Sequence, residues 1–223
     1  GGYHTCALKT DGTVYCWGAN YNGQLGDNTD VNRYTPVQVK GVNGKDYLTN
    51  VIQVAAGHNH TCALKTNGAV YCWGDNPFGQ LGDNTNTNRY TPVQVKGVGG
   101  EGYLTDITQI SAGGANTCAL KTDRTVYCWG LNDFGQLGDN ANTNRYTPVQ
   151  VKGVGGEGYL TDITQISAGG YHTCALKTNG AVYCWGNNSF GQLSDNTDIN
   201  RYTPVQVKGV GGEGYLTDIT QIS

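Results

Sequence analysis

The chain is 223 residues long and carries 35 Gly, 3 Phe and no Met, with 14 basic against 17 acidic side chains for a net charge of −3. Its basic residues are spread along the sequence rather than clustered, which argues against a nucleic-acid stripe and against a polybasic membrane patch. No apolar run approaches the roughly 20 residues needed to span a bilayer, no signal peptide is legible, and the absent initiator Met points to a processed chain or a piece of a longer one.

One sentence is written four times. Thr-Cys-Ala-Leu-Lys-Thr recurs around Cys6, Cys62, Cys118 and Cys174, and Tyr-Cys-Trp-Gly around Cys16, Cys72, Cys128 and Cys184, a period of 56 residues. The chain therefore reads as one array over 1–223, with repeats 1–56, 57–112, 113–168 and 169–223. Units of this size bury their apolar faces by stacking on neighbours. In the second unit the predicted strands run in the order Val51–Ala55, Thr61–Thr66, Ala69–Trp73 and Thr91–Lys96, rich in the Val, Tyr and Thr that suit pleated surfaces. Pro92 marks the last of them as an edge, where a ladder donor is not required. A polar loop over Gly74–Tyr90 precedes it, and a glycine-rich one over Gly97–Asp106 follows. Four short antiparallel strands per unit predict an all-β protein of propeller blades.

Two cysteines per repeat, ten residues apart, need a reason. A three-residue loop at Thr10-Asp11-Gly12, closed by a left-handed glycine, sets Cys6 directly across from Cys16. A two-residue Asp-Gly loop would put the thiols on opposite faces. The odd loop thus predicts four disulfides, Cys6–Cys16, Cys62–Cys72, Cys118–Cys128 and Cys174–Cys184, and an oxidising compartment. Buried reduced cysteines are the alternative. Zinc is disfavoured because no pair has the short spacing of a zinc motif.

The run His-Thr-Cys-Ala-Leu-Lys-Thr-Asp-Gly-Thr-Val-Tyr-Cys-Trp-Gly, followed by Gly-Gln-Leu-Gly-Asp, resembles the regulator of chromosome condensation repeat. With its cysteines it is similar to the secreted or surface-exposed bacterial branch. The resemblance covers every repeat and implies a β-propeller, usually of seven blades. Four repeats must then either close through a clasp of terminal strands or belong to a larger ring or assembly. The founder's role, nucleotide exchange on a small nuclear GTPase, is not carried over, since fold does not fix function.

Specificity must sit where the copies differ. Residues 57–112 and 113–168 differ mainly at 58–60, 67–69, 75 and 77, while Asn86–Ala112 is identical to Asn142–Ala168. In an antiparallel blade the loops at 57–60 and 74–90 emerge at one rim, the turn at 67–69 and the loop at 97–106 at the other. The first rim collects Tyr3, His4, His58, His60, Asn116, Tyr171 and His172 on its inner loops. Tyr21, Phe78, Leu131, Phe134 and Phe190 lie on its outer ones. Exposed aromatics among polar groups are the material of a recognition surface. The competing reading is that the phenylalanines cap each blade's own core.

Chemistry is otherwise sparse. His4, His60 and His172, with Asn116 in their register, suggest a ring about an axis, but bonds to the neighbouring blade's backbone explain them better than a metal. The Asp/Asn-rich loop at 83–88 lacks the glutamate and glycine of a helix-loop-helix calcium site, and Asx turns explain it. Arg33, Arg89, Arg145 and Arg201 are placed to pair with Asp27, Asp83, Asp139 and Asp195. Asn59-His60-Thr61 and Asn187-Asn188-Ser189 match the glycosylation acceptor pattern. No nucleophile elbow or phosphate loop is present, and no cofactor is implied. The expected function is a non-enzymatic extracellular or cell-surface binding module for a protein partner. A carbohydrate-binding lectin-like propeller is one alternative. A filament or surface assembly, self-associating through unpaired terminal strands, is the other.

Overall fold

The computed structural model describes residues 1–223. The first blade holds β1 (His4–Leu8), β2 (Val14–Gly18) and β3 (Arg33–Gln38). The second holds β4 (Val51–Ala56), β5 (His60–Lys65), β6 (Val70–Gly74) and β7 (Arg89–Gln94). The third holds β8 (Ile107–Ala112), β9 (Asn116–Lys121), β10 (Val126–Gly130) and β11 (Arg145–Gln150). The fourth holds β12 (Ile163–Ala168), β13 (His172–Lys177), β14 (Val182–Gly186) and β15 (Arg201–Gln206). Each blade is an antiparallel sheet in sequence order. The predicted strands are all present, displaced by one or two residues, and Pro92 sits in the outer edge strand β7.

Hairpin parity sets the disulfides. Lys9 N–H donates to the Thr13 carbonyl at 2.9 Å and Gly12 N–H to the Lys9 carbonyl at 3.0 Å, leaving a three-residue loop with Gly12 at φ +78°. Counting back from that hydrogen-bonded pair puts Cys6 and Cys16 at a non-hydrogen-bonded site, where strands approach most closely. The Cα atoms are 4.1 Å apart, and all four pairs are bridged. In the third hairpin an exposed arginine occupies the left-handed position, Arg124 at φ +64°.

Three of the four apolar cores lie between blades rather than within one, and the fourth covers the outer face of the last blade. Leu64, Val70, the Cys62–Cys72 bridge and Leu81 of the second blade pack with Ile110, Ala119 and Trp129 of the third. Trp73, Trp129 and Trp185 are fully buried in this way. Each of these three indole N–H groups reaches back to the preceding blade's Gln-Leu loop. Trp73 donates to the Gln24 carbonyl at 3.0 Å, and Trp129 and Trp185 to Gln80 and Gln136 at 2.9 Å. The loop glycine lets the indole in, because a Cβ on Gly82 would lie 2.8 Å from Trp129 Nε1. Ser194 takes that glycine's place at φ +50°, in the one blade with no further blade packed on it. The glycine thus serves a close approach as well as the loop's own backbone.

The same carbonyls accept a second bond, from Thr61, Thr117 and Thr173 at 2.8–2.9 Å. Each threonine spends its only hydroxyl proton there, so the histidine beside it must be the donor. His4 Nε2 lies 2.8 Å from Thr61 Oγ1, and His60 Nε2 lies 2.9 Å from Thr117 Oγ1. These histidines therefore bond the neighbouring blade's threonine side chain, not its backbone as the sequence suggested. Asn116 is too short to repeat the contact, and both its amide atoms are buried without a protein partner. Burial pushes His60 down to about 3. It also takes His4 down to about 4, helped by the terminal amine and His58, and it lowers His172.

The first sheet has three strands, and β1 has no inner neighbour. At the far end Ile219 N–H donates to the Gly180 carbonyl at 3.2 Å, and the Gln165 side chain brackets the Ile222 backbone with two bonds of 3.0 Å. Gln53 holds Ile110 of β8 in the same fashion. The segment 219–222 thus occupies a first-strand position, but it pairs with no second strand. The terminal clasp considered from the sequence is not formed, and the sheets are not joined into a ring by hydrogen bonds.

Two stability changes follow. Arg124→Gly should raise the unfolding free energy by about 1 kcal/mol, read as a higher melting temperature, because glycine adopts φ +64° without a Cβ penalty. Asn116→His should stabilise by about 1–2 kcal/mol in denaturant titrations by replacing two orphaned amide groups with the histidine–threonine bond. Folded-state histidine values lie below the unfolded one, so the unfolded chain binds more protons in the interval between them. Stability is therefore full above about pH 6.5 and falls as pH drops toward 3–4, and Asn116→His should steepen that fall.

Candidate interaction surface

The long loop between third and fourth strands is held by one buried asparagine per blade. Asn76 accepts Leu81 N–H at 3.0 Å and donates to Asp83 Oδ1 at 3.1 Å and to the Thr85 and Thr87 carbonyls. Asp83 takes Arg89 on its other oxygen, at 2.8 Å from Nε and 2.7 Å from Nη2. Asn20–Asp27–Arg33, Asn132–Asp139–Arg145 and Asn188–Asp195–Arg201 repeat the arrangement. Burial pushes Asp27 up, but bonds from Thr29, Arg33 and Asn20 outweigh it and hold the carboxyl below its usual range. The expected aspartate–arginine pairs are thus present in all four blades, and both carboxylate oxygens of Asp27, Asp83, Asp139 and Asp195 are taken up in this network. The asparagine was overlooked in the sequence, although Trp-Gly-x-Asn recurs in every repeat at Asn20, Asn76, Asn132 and Asn188.

Rigid loops of this kind carry the variable residues to one rim. A groove of about 720 Å³ opens there across the second, third and fourth blades. Phe78, Leu131, Phe134 and Tyr171 line it, with Asp75 and Asp133 among them and His58 on the inner side. Phe134 meets Tyr171 of the next blade edge-on, ring centroids 5.3 Å apart, and Tyr3 meets His58 likewise at 5.1 Å. The three phenylalanines lie outside all four apolar cores, and Phe190 is 94 % exposed. Tyr21 is exposed, its hydroxyl accepting from Asn32.

Not every candidate reaches this surface. His4, His60 and Asn116 are buried in the blade contacts, so these three belong to the interior of the array, while His172 is half-buried on the last blade. Leu131 is also buried, as a wall of the groove. Tyr3, Tyr21, His58, Phe78, Phe134, Tyr171 and Phe190 remain accessible to a partner. Burial raises the Asp75 carboxyl, with bonds from Asn88 and the Asn76 backbone and the charge of His58 offsetting part of the effect. On the opposite rim one contact is constant: Lys40, Lys96, Lys152 and Lys208 each lie over a tyrosine of their own blade, 4.4–4.8 Å from the ring centre. No helix is long and apolar enough to cross a membrane.

Comparison with known proteins agrees with this geometry. The chain is 36 % identical over 211 residues to the human probable E3 ubiquitin-protein ligase HERC4, covering 94 % of this chain and 19 % of that protein. It is 32 % identical over 208 residues to the Arabidopsis thaliana ultraviolet-B receptor UVR8, covering 93 % and 44 %. Among solved structures, human WBSCR16 superposes with a TM-score of 0.79 at 26 % identity, covering 93 % of this chain and 51 % of the other. Prp20p of Saccharomyces cerevisiae gives 0.77 at 22 %, covering 94 % and 49 %, a likeness of fold. The chain thus spans less than half of each of these two curated relatives. The family model for the RCC1-like domain matches residues 1–223, and the chain belongs to that family.

Proposed function

We propose that this chain is a non-catalytic protein-interaction module that engages its partner through the variable rim, in an extracellular or cell-surface setting. The observation that carries the reading is that repeat-to-repeat differences and accessible aromatics meet around one groove, on a scaffold whose strands, disulfides and aspartate–arginine pairs recur in every blade. Catalysis needs a distinct constellation at one place, whereas the aspartate–arginine pairs recur in every blade and are consumed in holding loops. Four disulfides are compatible with an oxidising compartment. The solved structure of Prp20p is described with its binding to Gsp1p and histones, which lends the fold a precedent for protein partners. HERC4 is named as a ligase, but this chain matches only a small part of it, so ligase chemistry is not carried across.

The test is a triple variant, Phe78→Ala, Phe134→Ala and Phe190→Ala. Proteins captured by the wild-type chain from the source organism's surface fraction and identified by mass spectrometry should be lost, with an unchanged melting temperature. Retained capture, or a collapse of the melt, would refute the rim as the site. Binding to a glycan array would favour the lectin reading instead. Concentration-dependent filaments in electron micrographs would favour pairing of the terminal strands.

A further inference from the structure

The groove breaks the repeat symmetry with charge. Asp75 stands where the other repeats have Ala19, Leu131 and Asn187, and Asp133 stands where they have Tyr21, Pro77 and Ser189. The two aspartates occupy different register positions in adjacent repeats, yet both line one groove. Neither forms an ion pair, and no lysine or arginine lines the groove. Around them stand the faces and edges of Phe78, Phe134 and Tyr171, with Leu131 as an apolar wall. Asp75 accepts a 3.4 Å bond from Gln80 Nε2 and has His58 nearby, but neither carboxylate has a lysine or arginine partner. Carboxylates so placed beside aromatic rings attract a cation whose stem is apolar and whose head is planar. Arginine fits better than lysine, since guanidinium stacks on rings and bonds carboxylates in a fork.

We propose that this groove receives an arginine side chain from a peptide segment of the partner, its guanidinium set against Asp75 and Asp133 and its stem against Phe78, Phe134 and Tyr171. The assignment rests on the variable rim being the interaction surface. It names the chemistry that the rim reads.

Fluorescein-labelled hexapeptides with leucine-flanked arginine, citrulline or glutamate at the centre provide the probe, followed by anisotropy with the whole chain. The arginine peptide should bind at least about tenfold more tightly than its neutral citrulline counterpart, with an advantage that shrinks as salt is added. Asp75→Asn and Asp133→Ser, which copy the fourth repeat's own residues and so suit the loop, should erase that advantage without shifting the melt. Equal binding of arginine and citrulline peptides, or no binding of the arginine peptide up to about 1 mM, would overturn the proposal. If Phe134→Ala abolishes binding while the aspartate variants leave it intact, the cation is wrong and the rim survives. Binding indifferent to both kinds of variant removes the rim reading as well.

Discussion

A tryptophan N–H pointed at the glutamine carbonyl of the preceding blade is the contact on which this molecule depends. The indole supplies the largest apolar surface in each interblade core, and its one polar atom must find an acceptor once buried. Gln24, Gln80 and Gln136 present that acceptor from loops whose glycine leaves room for the ring. The threonine hydroxyl shares the carbonyl, and the histidine feeds the threonine, so one backbone oxygen anchors a relay of three side chains. The blade itself is thin, and the disulfide adds a covalent tie across its central hairpin. Stability therefore accrues per junction, as expected of a quasi-one-dimensional array.

Such coupling explains the contrast between the ends and the middle. The second and third blades each have a neighbour on both faces. The outer core of the fourth has only five buried residues and no indole, and Val210 beside it is 94 % exposed. In the first blade Trp17, without a preceding loop to enter, is only half-buried. Asn116 exposes the same logic from another side. A residue that changes little in size breaks the relay at one junction, because the imidazole's length was what spanned the gap.

A second network, from asparagine through aspartate to arginine, converts the polar loop into a rigid platform. All four platforms are alike, so the loop backbone is a constant and the side chains on it are free to vary. Charge and aromatic character then converge in one groove from three blades. That convergence depends on neighbouring repeats being packed face to face, since Asp75 and Asp133 are 58 positions apart in the sequence.

The period, the strand order, the odd hairpin loop with its disulfides and the aspartate–arginine pairs were all legible from the residues alone. Each is a local matter: alternation, turn length and register are set within a few tens of residues and repeated four times for confirmation. Even Arg124 could be assigned a left-handed backbone by comparison with Gly12, Gly68 and Gly180. What the sequence could not separate was side chains that face a partner from side chains that face the next blade. His4 and His58 lie in the same kind of loop, yet one is buried against Thr61 and the other lines a groove. Ser194 at the position of Gly26, Gly82 and Gly138 says by sequence only that the loop backbone tolerates another residue, whereas the indoles beside Gly82 and Gly138 give the glycine its second role. Tertiary structure decided these points because burial between repeats is a property of the junction, and no single repeat contains one.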